Sequence, residues 1–346
     1  MKKFETAGLR KETVLHRSLL TIITLIFISG FSMGQKYTIK FATLAPEGST
    51  WMKVMDEMNA EISKLTDGNV KFKIYPGGVQ GDEKDVMRKI RLGQLHSAGF
   101  TGVGMGEILS EARIMDTPFL FRSYEEIDYV TKKFYDEFSA RFEEQGHVML
   151  GWTEVGFVYV YANKPLTSPS DLKGTKMWMW EGDPVAEATF NALGVSPIPL
   201  SITDVLTSLQ TNLIEAVYTS PLACVTLQWY TRVKYMMNEP LTNAAGVVLI
   251  SKKMFDKMPA EYQQILKEKG REYMQKLVEL SRRDNRESIE LMKKNGIELV
   301  EIPAQNLEDF RQAGEQVREK LVGKLYSQEL LDNVEQTLAE FRQKTE

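Results

Sequence analysis

The residue types that most often perform catalysis or bind metal ions are sparse in this sequence. Histidine occurs at His16, His96 and His147, and the single cysteine is Cys224. These residues do not have the spacing of a zinc site. The phosphate-binding pattern G-x-x-x-x-G-K-[ST] and the nucleophile turn G-x-S-x-G are also missing from the sequence. The sequence therefore predicts neither enzymatic turnover nor a metal or other cofactor.

Two weaker patterns have structural explanations. Gly102, Gly104 and Gly106 follow a predicted strand, but the third glycine comes too early for a dinucleotide-binding fingerprint. We expect them to form a loop that lets the backbone come close to a cleft. The acidic pairs Asp82–Glu83 and Glu125–Glu126 are typical of the first turn of a helix, where negative charge is favourable. Neither pattern therefore indicates a catalytic site.

Aromatic, apolar and hydroxyl side chains gather where predicted strands end. Ligands of open α/β sheets bind at the carboxyl ends of the strands, which directs attention to "TLAPEGS", "AGFTGVG", "MWMWEGDP" and "VYTSP". Ordinary core packing is the alternative explanation for each of these side chains. The predicted ligand contacts in these segments are Leu44, Phe100, Thr101, Trp178, Trp180, Tyr218, Thr219 and Ser220.

The two tryptophans lie in a short predicted strand. Alternation places Trp178 and Trp180 on one face of that strand and Met177 and Met179 on the other. Both faces are apolar, so we expect the strand to be covered on both sides, by the core on one side and by a second apolar surface on the other.

These segments need elements that position them, and strand and helix patterns do alternate along the chain. Strands are predicted in "YTIKFAT", "VKFKIYP" and "HSAGF", with helices over about residues 50–65 and 83–92 between them. A second set begins with the strands "VMLGW", "FVYVYA" and "TKMWMW", and "EAVYTSP" and "GVVLIS" follow. The β-α-β-α-β order of the first set predicts an α/β layered domain with parallel strands.

Helix signals in the second half are equally clear. Asp183 before Pro184 predicts a helix start, and Ser201 is expected to cap another helix. A long charged helix is predicted over about residues 259–295, and two amphipathic helices follow it. No flexible linker separates the two halves, so we expect strands to cross between two domains at a hinge near Gly156 and Ala245.

The composition and the N-terminus limit the possible functions. The chain has 346 residues, 43% of them hydrophobic, and a net charge of −4, which gives no basic footprint for nucleic acid. Basic residues precede the apolar run Leu19–Phe31, which is shorter than the ~20 residues of a spanning helix. This predicts a secretory signal over residues 1–34, cleaved after Gly34, and a periplasmic protein. An uncleaved membrane anchor is the alternative.

Several longer motifs together resemble one family. The order of "KFATLAPEGSTW", "YPGGVQGDEKDVMRKIRLGQL", "DTPFLF", "DLKGTKMW", "NALGVSPIPLSITDVLTSLQTNLIEAVYTSPLA" and "VVLISKKMFDKMP" is similar to that of the periplasmic solute-binding subunits of TRAP transporters, the DctP-type family. The similarity covers nearly the whole predicted mature chain.

The resemblance implies a two-domain periplasmic-binding-protein (Venus flytrap) fold with crossing strands and a long helix towards the C-terminus. Domain I would comprise residues 35–155 plus about 245–283, and domain II residues 156–244 plus about 284–346. A small solute would bind in the cleft between them and pass to a membrane permease driven by an ion gradient. Some arginine-lacking relatives work with TPR-repeat lipoproteins, which makes such a lipoprotein a further candidate partner.

The chain departs from the family where the solute is usually held. Trp178 stands where typical members carry the arginine that binds a substrate carboxylate, and Val158 stands where a second arginine is frequent. Positions that are polar in the cleft of the family are Leu44, Phe100, Thr101 and Ile202 here. The comparison adds Val158, Glu181 and Ile202 to the predicted ligand contacts.

Without these arginines, a buried carboxylate would have a large desolvation cost. We therefore expect an apolar or aromatic solute. Two alternatives remain open, namely an organic acid held by another basic group, of which Arg113 is the first candidate, and an extracytoplasmic enzyme on the same fold.

Overall fold

The first three strands form the parallel sheet that their alternating side chains predict. Strand β1 (Tyr37–Ala42) pairs in parallel with β2 (Val70–Tyr75) and with β3 (Ser97–Thr101). Helix α1 (Thr50–Leu65) and helix α2 (Glu83–Arg91) connect these strands. The computed structural model describes residues 36–345, so the predicted signal segment and its cleavage after Gly34 lie outside the described residues.

The glycine-rich segment after β3 is a short helix, α3 (Gly102–Gly106), and not the predicted loop. Glycine disfavours helices, so local propensity gave no signal for one. The expected close approach of the backbone is present, because a Cβ atom on Gly104 would lie 2.7 Å from Oε2 of Glu83. Tertiary packing therefore outweighs propensity here.

A long antiparallel ladder runs through the centre of the molecule. Strand β4 (His147–Ala162) pairs with β9 (Thr242–Ser251) from His147↔Ser251 to Val158↔Thr242. The sequence predicted two strands where β4 is one. The register shifts between Glu154 and Gly156, and Gly156 has a φ of 105°, so an irregularity replaces the expected break.

The other strands are arranged around this ladder. The sheet order is β10-β8-β4-β9-β3-β1-β2, and β7 pairs with the last residues of β4. Strands β5 and β6 form a separate parallel pair. The bounds of the remaining strands are β5 Trp178–Trp180, β6 Ile198–Leu200, β7 Ala216–Thr219, β8 Tyr235–Met237 and β10 Glu298–Val300.

Helices cover the sheet. The long helix that the sequence predicted is α10 (Ala260–Lys294). Two amphipathic helices follow it, also as predicted. In the part of the chain that the structure describes, no helix is both long and apolar enough to cross a bilayer. The further helices are α4 Tyr124–Glu144, α5 Pro169–Leu172, α6 Pro184–Ala192, α7 Val205–Gln210, α8 Pro221–Thr226, α9 Lys252–Phe255, α10 Ala260–Lys294, α11 Ala304–Leu321 and α12 Gln328–Thr345.

The two predicted helix caps have different outcomes. Asp183 caps α6 as expected, since its side chain accepts from the backbone N–H groups of Val185 and Ala186. Ser201 does not cap a helix, because a 3₁₀ turn (Ile202–Asp204) comes before α7. The Ser201 hydroxyl instead donates to Oδ2 of Asp82 at 2.7 Å. The hydroxyl that the sequence pattern assigned to a helix cap is therefore used in a tertiary hydrogen bond.

A buried ion pair between Arg282 and Glu154 joins helix α10 to the middle of β4. Arg282 donates from Nε to Oε1 of Glu154 at 2.6 Å and from Nη2 to Oε2 at 3.0 Å. Its guanidinium also bonds Asp128 and lies 4.3 Å from the ring centroid of Tyr124. Glu154 is 3% exposed, and burial raises its pKa although Arg282 opposes the shift.

We expect Arg282→Met to lower the free energy of unfolding by about 3–5 kcal/mol, because it leaves the Glu154 carboxylate buried without its partner. A carboxyl group whose pKa is raised on folding binds its proton more tightly in the folded state, so lower pH favours folding. The loss should therefore be smaller at about pH 5 than at about pH 8. Urea denaturation at both values measures it.

Lys276→Met is the matched control on the same helix. Lys276 forms an ion pair with Glu57 in which both side chains are about half exposed. Its removal should cost less than about 1 kcal/mol at either pH. Similar losses for the two variants would contradict the view that burial makes the Arg282 pair important.

Candidate functional site

A cavity of about 490 Å³ lies against the middle of β4 and β9. This volume is within the usual range of sites for small molecules. Glu181 is exposed and is not part of the lining. The predicted contacts that do line the cavity are Leu44, Phe100, Thr101, Val158, Trp178, Trp180, Ile202, Tyr218, Thr219 and Ser220. The structure thus brings together segments that are far apart in sequence, and their contact with a solute stays a prediction.

Trp178 forms an aromatic wall of the cavity and is also part of the core. Its ring stacks on Tyr218, with centroids 4.9 Å apart, and meets Trp229 edge-on at 5.3 Å. Nε1 donates to the carbonyl oxygen of Leu200 at 3.0 Å. Only 1% of Trp178 is exposed, so the indole supports the partly exposed ring of Tyr218 and offers a solute no free N–H group.

The strand that carries the tryptophans is covered on both faces, as predicted. Trp178 and Trp180 belong to one apolar cluster, together with Trp229. Met177 and Met179 belong to a different cluster on the other side of the strand. The alternation of side chains in β5 therefore separates the cavity wall from a second core.

Trp180 is held by a distant carboxylate. Its Nε1 donates to Oδ2 of Asp82 at 3.1 Å, and its backbone N–H donates to the hydroxyl of Tyr218 at 3.2 Å. Asp82 also caps α2 and accepts from Ser201. This one carboxylate therefore connects the start of α2 with β5 and with the turn after β6.

The carboxylate of Glu83 accepts hydrogen bonds from the glycine-rich segment. Its Oε1 accepts from the N–H of Thr101 at 2.7 Å, and Oε2 accepts from the N–H of Gly104 at 2.6 Å and from the Thr101 hydroxyl at 3.0 Å. Burial raises the pKa of Glu83 to about 7, although these hydrogen bonds oppose the shift. The glycine-rich segment thus binds an acidic side chain of its own protein.

A second buried cluster contains the arginine that the sequence analysis singled out. Nε of Arg113 donates to Oδ2 of Asp116 at 2.9 Å, and Nη2 donates to Oδ1 of Asp183 at 2.8 Å. Burial lowers the pKa of Arg113, but the two carboxylates raise it by more. Burial also raises the pKa of Asp116 to about 6, against the effect of Arg113 and of the Ala245 N–H group. The guanidinium is therefore charged and paired.

Two polar residues of the cavity lining escaped the sequence analysis. Oγ1 of Thr153 on β4 and Oδ1 of Asn243 on β9 are buried without a hydrogen-bond partner among the described residues. Buried polar atoms normally have partners. Nothing in the local sequence marks these two positions, because their environment depends on the pairing of strands about 90 residues apart.

Nucleophilic and metal chemistry has little support here. Burial raises the pKa of the Cys224 thiol well above its ordinary range, so the thiolate is disfavoured. Within residues 36–345, no three His, Cys, Asp or Glu side chains are placed to hold a metal ion. The arrangement is suited to enclosing a molecule.

Known proteins share both the sequence pattern and the fold. A solute-binding protein from Verminephrobacter eiseniae is 28% identical over 221 residues, which are 63% of this chain and 65% of that protein. The C4-dicarboxylate-binding periplasmic protein DctP of Rhodobacter capsulatus is 24% identical over 68% of this chain and 72% of that protein. This chain thus spans about 65% of the length of the first curated relatives that it matches.

Solved structures support the predicted fold class. A TRAP periplasmic solute binding protein from Ochrobactrum anthropi has a TM-score of 0.79 and 24% identity, over 90% of this chain and 97% of that chain. The sugar acid binding protein DctPAm from Advenella mimigardefordensis, in complex with galactonate, has a TM-score of 0.83 and 20% identity, over 88% and 99%. The predicted two-domain periplasmic-binding-protein fold is confirmed, and the domain boundaries stay a prediction.

The family assignment rests on a match that covers most of the sequence. A family model described as bacterial extracellular solute-binding protein, family 7 (DctP), matches residues 41–324. Apart from Lys40, the first residue of the first motif, the motifs quoted from the sequence lie in this range, and the α/β fold with its long helix α10 agrees with it. The chain therefore belongs to the DctP family of bacterial extracellular solute-binding proteins.

Proposed function

We propose that this protein captures a small apolar or aromatic solute outside the cytoplasm and delivers it to the membrane permease of a TRAP transporter. The observation that carries the proposal is the aromatic wall of the cavity. Trp178, Tyr218 and Trp229 are in ring contact there, and the N–H group of Trp178 is already used. Such a wall gains free energy by being covered with apolar surface and has little to offer a charged group.

An organic acid is the alternative that the relatives suggest. DctPAm is described as binding galactonate, and the Rhodobacter relative as binding C4-dicarboxylates. Arg113, the one cation among the described lining residues, already has two carboxylate partners. A buried acid without a counter-charge would have a large desolvation cost. The charges of the lining therefore favour the apolar solute.

The solute's polar end, if it has one, would meet neutral groups. Thr153 and Asn243 line the cavity with unpartnered oxygen atoms. Both oxygens have almost no accessible surface, so a hydroxyl or amide group of the solute would reach them only after a small rearrangement of the lining, and would bring no charge into the site. This adds a modest polar requirement to a mainly apolar recognition surface.

Capture would involve closure of the two predicted domains around the solute. Residues 35–155 plus about 245–283 would move relative to the rest, with the hinge near Gly156 and Ala245. Contacts from Asp82 to Trp180 and from Arg113 to Asp183 would then join the two domains. The membrane permease and, as a further candidate, a TPR-repeat lipoprotein are the proposed partners.

We expect the protein, purified without refolding, to carry an apolar or aromatic compound that native mass spectrometry can identify. Trp178→Leu should weaken binding of that compound by about tenfold, or about 1.4 kcal/mol, because the indole is the ring on which the partly exposed Tyr218 stacks at the cavity. Calorimetric titration of the emptied protein measures the change.

Phe138→Leu is the control for lost stability. Trp178 is 1% exposed, so its truncation also affects the core, and Phe138 is an equally buried aromatic side chain that lies outside the cavity lining. Phe138→Leu should lower stability and leave affinity unchanged. A copurified sugar acid or dicarboxylate, or full affinity in Trp178→Leu, would exclude the apolar-solute proposal.

Closure is tested separately by small-angle X-ray scattering. Saturation with the identified compound should reduce the radius of gyration of the wild-type protein. Trp178→Leu, at a concentration where it stays mostly empty, should keep the larger radius. A radius unchanged by saturation of the wild type would mean that the solute binds without domain movement.

A further inference from the structure

The cavity lining contains more acidic than basic groups. Among the described residues that line it, the acidic ones are Glu83, Asp116, Glu154 and Asp183, and the basic one is Arg113. Glu83 is satisfied by N–H and hydroxyl groups, and Glu154 pairs with Arg282. The other three charged groups of the lining, the guanidinium of Arg113 and the carboxylates of Asp116 and Asp183, form one cluster.

The guanidinium of Arg113 is bonded to carboxylates of the protein itself. Nε of Arg113 bonds Asp116 and Nη2 bonds Asp183, and all three side chains are nearly inaccessible to solvent. Within residues 36–345, Nη1 is the one nitrogen of this guanidinium without a hydrogen bond, so part of the group is still available and the Nε and Nη2 positions are occupied. With both carboxylates ionised, the cluster carries a net charge of −1, so an approaching anion meets repulsion in a poorly screened environment.

We propose that Asp183 and Asp116 are specificity-determining residues, which exclude carboxylate solutes by occupying the guanidinium of Arg113. This inference rests on the proposed function and names what the same cavity rejects. A free guanidinium would offer the planar, two-point contact that carboxylates prefer. Pairing Arg113 within the protein removes that contact and leaves the apolar wall to select the solute.

Asp183 allows its charge to be removed without loss of hydrogen bonds. Its Oδ1 atom accepts from Arg113, from the N–H of Val185 at 3.0 Å and from the N–H of Ala186 at 3.4 Å. Asparagine keeps an oxygen at that position and is an equally good helix cap. Asp183→Asn therefore separates the electrostatic role from the structural role of capping α6.

The test compares benzoate with benzamide, which have similar shape and differ in charge. The ratio of their dissociation constants is measured by titration for the wild type, Asp183→Asn and Asp116→Asn/Asp183→Asn. Wild type should prefer benzamide. Each substitution should shift the ratio towards benzoate by about tenfold or more, since each removes one negative charge near the binding site.

Two controls identify the source of the gain. Adding Arg113→Met to the double variant should abolish benzoate binding, because the freed guanidinium would be gone. Glu187→Gln removes an exposed acidic side chain in the first turn of α6, four residues after Asp183, and should leave the ratio unchanged. Thermal denaturation shows whether each variant is folded, and if the double variant is not, Asp183→Asn alone decides the question.

Four results would overturn the proposal. The first two are a wild type that prefers benzoate and a folded Asp183→Asn variant with an unchanged ratio. The other two are a gain that persists after Arg113→Met and the absence of benzoate binding in the folded double variant. The proposed function is judged by the identity of the copurified compound in the wild type, so either idea can fail while the other stands.

Discussion

The antiparallel pairing of β4 with β9 is the interaction on which the rest of the structure depends. One end of this ladder continues through β3 into the parallel sheet, and the other end of β4 carries β7 and β8. Every other strand of the main sheet is therefore placed relative to these two. The unpartnered oxygens of Thr153 and Asn243 and the buried carboxylate of Glu154 also come from this ladder. The part of the sheet that joins the halves of the chain is the part that forms the floor of the cavity.

The cavity is continuous with the core. Trp178 stacks on Tyr218 and meets Trp229 edge-on while it lines the cavity, so its ring orientation is fixed by packing before any solute arrives. A wall that needs no rearrangement loses little conformational entropy on binding. The charged groups around it are likewise satisfied within the protein, through Glu83, through Asp82 and through the Arg113 cluster. Recognition is thus left mainly to shape and apolar surface.

The sequence predicted the features that depend on local periodicity. The strands around β1 and β2, the long helix α10 and the Asp183 cap follow from alternation, helical spacing and capping, and all are present. Predictions failed where a tertiary contact replaced the local signal. The hydroxyl of Ser201 found Asp82 119 residues away, and β4 continues through Gly156 because β9 supplies partners on both sides of the irregularity.

Much of the candidate site was predictable for a different reason. Strand ends in an α/β sheet converge in space, so segments containing Phe100, Trp178 and Tyr218 could be grouped without knowledge of their contacts. The same reasoning could not have brought together Arg113, Asp116 and Asp183. Arg113 and Asp183 are 70 residues apart, and no periodic pattern links an arginine in a 3₁₀ turn to a helix cap. Glu181 illustrates the converse, since its position next to Trp180 in sequence did not bring it to the cavity.

The aromatic wall also has an optical consequence. Trp178, Trp180 and Trp229 are three of the five tryptophans of the chain. The ring centroid of Trp178 lies 6.1 Å from that of Trp180 and 5.3 Å from that of Trp229. At such separations the excited states of indoles couple, so these three rings absorb and emit as a group. Three of the five indoles that absorb ultraviolet light in this protein therefore lie beside the cavity. An unlabelled sample carries its own chromophore at the place where a solute would change the surroundings of the rings.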